Sequence, residues 1–244
     1  MRVFRGFGSL PEFRHAAVTV GSFDGVHRGH RILLNKVREA AAERGGESVV
    51  MTLEPHPRLF FGDEDMHLLT TLEEKAALLE QAGADNLVVM PFDLSFSRLT
   101  AREFINECIV ARIGAEHLTV GYNHRFGHDR CGGAEFLASV RQEFGLAVEE
   151  VACYDAEGDK VSSTVIRRAV SEGLMQTAAR LAGHPYIIIG TACGGVVDTL
   201  SEHKLLPPDG EYDAKVGNTE CRLHISNGKI LTNNDINGLI TIML

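Results

Sequence analysis

Short apolar runs alternate with amphipathic segments along residues 1–185. The runs Ala16 to Val20, Ser48 to Leu53 and Leu87 to Met90 have the length of buried strands. Between them lie segments whose apolar residues recur at helical spacing, such as His30 to Arg44, and a glycine follows each segment. Strands and helices that alternate over short connections predict an α/β domain with a parallel sheet covered by helices on both faces.

Two of the predicted helices begin with a capping box. Thr71 and Glu74 form one, and Thr100 and Glu103 form the other. In such a pair, each side chain accepts a hydrogen bond from the other residue's backbone N–H at the start of a helix. We therefore expect a helix to start at each of these two threonines.

The pattern changes near Gly183-His184-Pro185. From Tyr186 onward, short β-rich runs are separated by Gly, Asn, Pro and Asp, and none has helical periodicity. We therefore divide the chain into an α/β domain over residues 1–185 and a small β-rich appendage over residues 186–244. An appendage of that size has little core of its own, so we expect it to dock on the first domain.

Composition and charge exclude some classes of protein. The chain has 44% hydrophobic and 23% charged residues and a formal net charge of −9. A nucleic-acid coat protein would be basic, so the negative net charge of this chain argues against that class. An anionic substrate must therefore be held by a local cluster of positive groups that works against the overall charge.

Targeting and cysteine patterns favour a cytoplasmic protein. The longest apolar runs fall short of the roughly 18 residues that span a bilayer, and the first residues lack the apolar core of a secretory signal. The five cysteines show no C-x-x-C spacing, which favours reduced thiols and no structural zinc. We expect no membrane partner and no nucleic-acid partner.

The strongest chemical signal is the segment Gly21 to His30, which reads GSFDGVHRGH. It follows the first predicted strand and opens the first helix, where open α/β sheets bind phosphate ligands. Its glycines let the backbone approach a ligand closely, and the helix start supplies free N–H groups. His27 and His30 lie one turn apart, so both imidazoles can face one phosphate. A glycine-rich turn with two solvated histidines is the alternative, which the strand–turn–helix context disfavours.

A second anion site is predicted where the sequence reads VSSTVIR, at residues 161–167. Ser163 and Thr164 lie at the predicted start of a helix, and Arg167 follows one turn later. Free N–H groups, two hydroxyls and a guanidinium together favour phosphate binding. A plain N-cap beside a surface arginine is the alternative, and it loses weight because the first motif is in the same chain.

These two motifs resemble those of the nucleotidyltransferase superfamily. The fuller pattern resembles bacterial FAD synthetase, which is the FMN adenylyltransferase module of the bifunctional riboflavin kinase/FAD synthetase family. EPHPR at residues 54–58 and VGYNHRFG at residues 120–127 are similar to segments of that family, although His124 replaces the usual aromatic residue. LLPPDGEY at residues 205–212 is similar to a turn of its kinase module. The resemblance is specific over residues 14–185 and weak beyond them.

The resemblance implies a Rossmann-like nucleotidyltransferase fold that transfers an adenylyl group from ATP to FMN, with Mg²⁺ bridging the phosphates and no protein metal ligands. The implied catalytic residues are His27, His30 and Arg167. The implied ATP-binding residues are Gly21, Phe23, Asp24, Gly25, His27, His30, Ser163, Thr164 and Arg167. The implied flavin-binding residues are His56, Pro57, Asn123, Arg125 and Phe126.

Asp24, the Phe60–Phe61 pair and a positively charged loop each allow two interpretations. Asp24 either holds its turn or helps to position magnesium, and we favour the turn. The Phe60–Phe61 pair fits core packing better than flavin stacking. Positive residues of one loop, Arg125, His128 and Arg130, form either a solvated loop or a cationic lid over an anionic substrate.

The tail departs from the kinase pattern of that family. The signature G-R-x-x-G-F-P-T-A-N has no counterpart between Gly190 and Leu206, where the chain reads GTACGGVVD at residues 190–198. The tail also looks shorter than a whole kinase module. We therefore interpret residues 186–244 as a degenerate riboflavin-kinase-like β remnant without kinase activity.

Three other functions stay open at this point. The chain can still be a bifunctional riboflavin kinase/FAD synthetase, or a non-enzymatic relative that binds flavin or nucleotide. The same chemistry on phosphopantetheine, or on glycerol phosphate with CTP, is a third possibility, which the EPHP and RFG segments disfavour. The oligomeric state and the role of the remnant stay open as well.

Overall fold

The structure is a computed structural model that describes residues 1–122, 125, 127–128, 134–152, 155–156, 159–232 and 236–244. Its contacts divide the chain into two compact units. The first, here called the sheet unit, contains residues 1–23, 29–64 and 79–154. The second, here called the barrel unit, contains residues 24–28, 65–78 and 155–244.

The sheet unit is built on a six-stranded sheet in which every neighbouring pair of strands is parallel. The strands are β1 (Arg2–Arg5), β2 (Ala16–Val20), β3 (Ser48–Glu54), β4 (Asn86–Pro91), β5 (Ala115–Gly121) and β6 (Ala147–Val151). Their order across the sheet is β1-β4-β3-β2-β5-β6. All five residues of β2 are buried, as expected for an apolar central strand that is covered on both faces.

Helices and a π-helix connect these strands. They are α1 (Arg28–Glu43), α2 (Pro57–Phe60), α3 (Leu72–Gln81), α4 (Leu94–Ser97), α5 (Ala101–Glu103), the π-helix Phe104–Arg112 and α6 (Ala134–Phe144). On one face, α1 packs Val37, Ala40 and Ala41 against Ala17 of β2. On the other, the π-helix adds its buried apolar side chains to the main core. None of the described helices is long and apolar enough to cross a membrane.

Both capping boxes are present. Thr71 N donates to Glu74 Oε2 at 2.8 Å, and Glu74 N donates to Thr71 Oγ1 at 3.3 Å. Thr100 and Glu103 make the same reciprocal pair. The helix that starts at Thr100 passes into π-type hydrogen bonding at Phe104, which the sequence pattern did not predict.

The barrel unit contains a closed antiparallel barrel in the order β10-β13-β12-β11-β14-β9. Its strands are β9 (Ile187–Cys193), β10 (Val196–Thr199), β11 (Gly210–Val216), β12 (Thr219–Ser226), β13 (Lys229–Thr232) and β14 (Gly238–Met243). Asn227 and Gly228, both at positive φ, join β12 to β13 in the residue pair that tight hairpin turns favour. Closure leaves no open sheet edge, which stabilises a small all-β structure.

The barrel unit also contains α7 (Ser163–Ser171), α8 (Met175–Ala182) and the short hairpin of β7 (Asp155–Ala156) and β8 (Asp159–Lys160). The predictions of a parallel α/β sheet and a β-rich tail are confirmed. The division at residue 185 stays a prediction about modules, since the contacts group α7 and α8 with the barrel.

Candidate functional site

The loop of residues 24–28, here called the phosphate loop, is held in the barrel unit through Asp24. This carboxylate is 1% exposed. Its Oδ1 accepts from Thr70 N at 2.9 Å, and its Oδ2 accepts from Leu69 N at 3.1 Å. Arg167 Nη2 lies 2.6 Å from the same Oδ2. Both oxygens are therefore engaged, which supports the turn role of Asp24 over magnesium binding.

Gly25 allows the loop to approach the segment that holds it. Its φ of +81° lies in the left-handed region, and a Cβ there would lie 2.8 Å from Leu69 Cδ1. Its N–H donates to Thr70 Oγ1 at 3.0 Å, and its carbonyl oxygen lies 2.9 Å from His184 Nε2. Sequence reasoning missed His184, because only the fold brings a residue 159 positions away onto this glycine.

His27 is buried in the phosphate loop, with 7% of its surface exposed. The pKa of His27 is lowered from 6.5 to about 4, mainly because the ring is buried; the charge of Asp24 opposes this shift, and His184 adds to it. The imidazole is therefore neutral at pH 7, so one ring nitrogen carries a proton and can donate a hydrogen bond.

Protonation of His27 is expected to destabilise the native state in acid. Because its pKa is about 4 in the folded chain and about 6.5 in an unfolded chain, the unfolded state binds more protons between these values. The free energy of unfolding should therefore fall as pH drops from 6.5 toward 4, by up to about 1.4 kcal/mol per pH unit from this group. Urea unfolding of the wild type and His27→Gln at pH 7, 6, 5 and 4.5 measures the difference.

The wild type should lose more stability than His27→Gln over this window, because other titrating groups are common to both proteins. Parallel pH curves for the two proteins would contradict burial of a neutral imidazole. His224→Ala, which removes an exposed histidine of β12, is the matched control and should follow the wild type.

The start of α7 is the second predicted anion site. Ser162 is its N-cap, and its Oγ accepts from Val165 N. Ser163 Oγ donates to the carbonyl oxygen of Asp24 at 2.9 Å, and Thr164 is exposed in the first turn. Arg167 Nε donates to His67 O at 2.8 Å, in addition to the ion pair with Asp24. Ser163 and Arg167 of the VSSTVIR segment thus contact Asp24 of the phosphate loop, and anion binding at this second site stays a prediction.

His27 and His30 are assigned to different units, because the chain passes from the barrel unit to the sheet unit between residues 28 and 29. His27 precedes α1 and belongs to the barrel unit, whereas His30 is the third residue of α1 and belongs to the sheet unit. The His30 ring packs edge-on against Phe23, with ring centroids 5.2 Å apart. That both imidazoles face one phosphate stays a prediction.

The sheet unit contains an open pocket of about 570 Å³. It lies at the carboxyl ends of β2 and β3, where ligands bind in open α/β sheets. Its lining includes Gly21 and Ser22, the first two residues of the GSFDGVHRGH motif. A volume of this size suits a cofactor-sized ligand.

Aromatic side chains form one wall of this pocket. The lining phenylalanines are Phe61, Phe92, Phe96 and Phe104. They belong to a series of edge-to-face contacts with ring centroids 5.3 to 5.9 Å apart. Phe61 is 67% exposed, so the interpretation of the Phe60–Phe61 pair as core was wrong. Sequence reasoning also missed Phe92 and Phe96, whose only signal is their place after a predicted strand.

Three of the predicted flavin-binding residues are described, and all three line the pocket: His56, Pro57 and Arg125. His56 also caps α2, where its Nδ1 accepts from Arg58 N at 3.2 Å. His128 lines the pocket as well. The predictions for Asn123 and Phe126, and those for His124 and Arg130 of the same loop, fall outside the described residues.

Protein ligands for a metal were not predicted. Within the described parts of the chain, no group of three or more His, Cys, Asp or Glu side chains could hold an ion. Asp24, the carboxylate of the phosphate loop, is occupied by backbone N–H groups and Arg167. These residues do not form a magnesium site.

Comparisons with known proteins agree with a nucleotide-binding α/β fold and identify the family. A family model for FAD synthetase matches residues 10–165, and the chain belongs to this family. The bifunctional riboflavin kinase/FMN adenylyltransferase of Pseudomonas fluorescens is 37% identical over 196 residues, which cover 80% of this chain and 63% of that protein. Its counterpart in Escherichia coli strain K12 is 35% identical over 198 residues, with the same two coverages.

The matched region therefore spans less than two thirds of these relatives. A crystal structure described as a macrolide-efflux protein from Streptococcus pneumoniae covers 100% of this chain, and the match covers 89% of that protein, with a TM-score of 0.81 and 23% identity. At that identity, the likeness shows the fold alone.

Proposed function

We propose that this chain transfers the adenylyl group of ATP to FMN, which forms FAD and pyrophosphate, and that its barrel does not phosphorylate riboflavin. The observation that carries the proposal is the pocket lined by phenylalanines and by Gly21 and Ser22, the first two residues of the GSFDGVHRGH motif. An isoalloxazine ring would lie against the phenylalanines, since aromatic pairs favour edge-to-face and offset contacts. Membership of the FAD synthetase family supports the same substrates.

In this reaction, a phosphate oxygen of FMN attacks the α-phosphorus of ATP in line. The new bond joins that oxygen to the α-phosphorus, and the bond to the bridging oxygen of the β-phosphate breaks, so that pyrophosphate leaves. A phosphate monoester is already anionic at pH 7, so no protein base is needed. The protein contributes positioning and stabilises the charge that builds at the phosphates.

Each site residue has a proposed part in this chemistry. His27 donates a hydrogen bond from its neutral ring to a phosphate oxygen, and His30 acts on the α-phosphate as charge builds. Thr164 and the first N–H groups of α7 bind the departing β- and γ-phosphates. Ser163 and Arg167 hold Asp24 in place, and the remaining N–H groups of that guanidinium are directed to the phosphates.

We further propose a cytoplasmic enzyme whose ligands are ATP and FMN, with magnesium arriving on the ATP phosphates. The net charge of −9 argues against a nucleic-acid partner, and five cysteines without C-x-x-C spacing favour a reducing compartment.

The test is to incubate the folded chain with FMN, ATP and magnesium and to identify the products by chromatography. We expect FAD and pyrophosphate in equal amounts. Binding of FMN without formation of FAD would favour a non-enzymatic flavin-binding relative. Turnover of phosphopantetheine, or of glycerol phosphate with CTP, in place of FMN would favour the same chemistry on another substrate.

A further inference from the structure

We propose that Lys204, in the loop before the LLPPDGEY turn, is a positioning residue for the phosphate loop and acts on Asp24 through the backbone of Leu69 and Thr70. The inference rests on the proposed function only for its kinetic consequence. Every residue in the argument belongs to the barrel unit.

The Lys204 ammonium is buried with all three of its donors used. Its side chain has 0% exposure. Nζ donates to Leu69 O at 2.6 Å, to Glu74 Oε2 at 2.7 Å and to Ile187 O at 2.8 Å. The ring of Tyr186 covers it, with Nζ 4.2 Å from the ring centroid. Three N–H donors meet three acceptors, which is the arrangement of a protonated lysine.

Glu74 completes this buried cluster. Its Oε2 accepts from Thr71 N as well as from Lys204, and its Oε1 accepts from Ile189 N at 2.7 Å. Burial lowers the pKa of Lys204, and the neighbouring Glu74 carboxylate opposes that shift. Because both members are buried, removal of one charge would leave the other unpaired.

The segment around Leu69 is held from two sides. On one side, Leu68 N donates to His203 O and Leu205 N donates to Leu68 O, and Lys204 Nζ bonds to Leu69 O. On the other side, the N–H groups of Leu69 and Thr70 donate to Asp24. Leu69 therefore links the two sides: its carbonyl oxygen accepts a hydrogen bond from Lys204, and its N–H donates to Asp24 of the phosphate loop.

Asp24 in turn orients the groups proposed to meet the triphosphate. It pairs with Arg167, and Thr70 Oγ1, which itself donates to Asp24, accepts from Gly25 N. A shift of the Leu69–Thr70 backbone would move these groups together. This gives the barrel a part in adenylyl transfer that does not require kinase chemistry.

The flavin pocket supplies an internal control, because all of its lining residues belong to the sheet unit. We expect Lys204→Met to lower kcat/KM for ATP by roughly 2- to 30-fold, the range that coupling energies through packed networks span. The affinity for FMN, measured by quenching of its fluorescence, should stay unchanged.

Two variants separate positioning from a general loss of stability. Leu223→Ala removes a barrel core side chain that is 1% exposed. Leu223 takes part in none of the hydrogen bonds described for Lys204 and Asp24. Lys229→Met removes an exposed lysine of β13. At a temperature where all variants are folded by circular dichroism, both should keep the wild-type kcat/KM. The double variant Glu74→Gln/Lys204→Met leaves no unpaired buried charge but still lacks the bond to Leu69 O, so it should keep most of the loss.

Hydrogen exchange gives a readout that does not depend on activity. The amides of Leu69 and Thr70 should exchange faster in Lys204→Met than in the wild type, since they lose the support of their segment. In Leu223→Ala, these two amides should stay as protected as in the wild type. If the wild type makes no FAD, the proposed function is wrong. The exchange measurement still tests whether Lys204 positions the Leu69–Thr70 segment.

If Lys204→Met does not fold, the double variant and Lys204→Arg carry both measurements. Unchanged exchange at Leu69 and Thr70, or a loss of kcat/KM no larger than that of Leu223→Ala, would overturn the role of Lys204.

Discussion

His30→Ala is expected to lower the turnover of FMN and ATP by about 10²- to 10³-fold, the usual effect of removing one donor to developing charge. His30 is the third residue of α1, and its ring is packed against Phe23. The imidazole is therefore positioned before any phosphate arrives. A donor that acts mainly in the transition state changes kcat far more than substrate affinity. The measurements are kcat under saturating substrates and the Kd for ATP.

Two variants control this result. His224→Ala, the exposed histidine of β12, should have wild-type kinetics. His30→Asn keeps an N–H donor near the same place and should be less impaired than His30→Ala. An unchanged turnover in His30→Ala would mean that the second histidine of the motif serves the fold and not the chemistry.

The periodicity of the sequence was sufficient for elements with long, regular patterns. The buried strands β2 to β4 are short, mainly apolar runs, and the capping boxes marked α3 and α5. By contrast, β10 and β13 were missed, because each has four residues and its partners are set by barrel closure. The whole of α8 was missed too, since its N-cap, Leu174, makes no side-chain cap.

The same holds for the candidate site: its local motifs could be found in the sequence, whereas its contacts between distant residues could not. A motif of ten residues marked the phosphate loop, and one of seven residues marked the start of α7. The contacts that hold them join residues far apart in the chain, such as Asp24 with Arg167 and Lys204 with Glu74, separated by 143 and 130 positions. One sequence shows spacing along the chain but not which segments meet, so these pairs could not be predicted.

The barrel is the part of the chain for which the family resemblance and the proposal differ most. Residues 190–198, where the kinase signature would lie, form a regular hairpin in which β9 pairs with β10 from Cys193 and Val196 to Gly190 and Thr199. Its backbone is thus used for the barrel ladder. A kinase also needs a base and a metal ligand, since the ribityl hydroxyl of riboflavin, unlike a phosphate, is not ionised at pH 7.

Four carboxylates of the tail are candidates for these roles, and each has a structural partner. Glu211 and Asp213 both pair with Arg222, at 3.4 and 3.2 Å. Asp209 accepts from Asn227 N with both oxygens, at 3.0 and 3.1 Å. Glu202 lies 3.7 Å from His203. All four are exposed, which supports surface charge and turn capping in place of base catalysis.

We therefore expect these 244 residues to leave riboflavin unchanged when it is supplied with ATP and magnesium, whereas FMN in a parallel reaction is converted to FAD. The difference should be all or none, because the missing parts are the ATP and metal contacts and the base rather than one donor among several. Chromatography of the flavins after many turnovers of the FMN reaction measures it. FMN or FAD formed from riboflavin at a rate comparable to adenylyl transfer would show that the barrel keeps a kinase site built from other residues, and Glu211→Gln and Asp213→Asn would then be the first variants to locate its base.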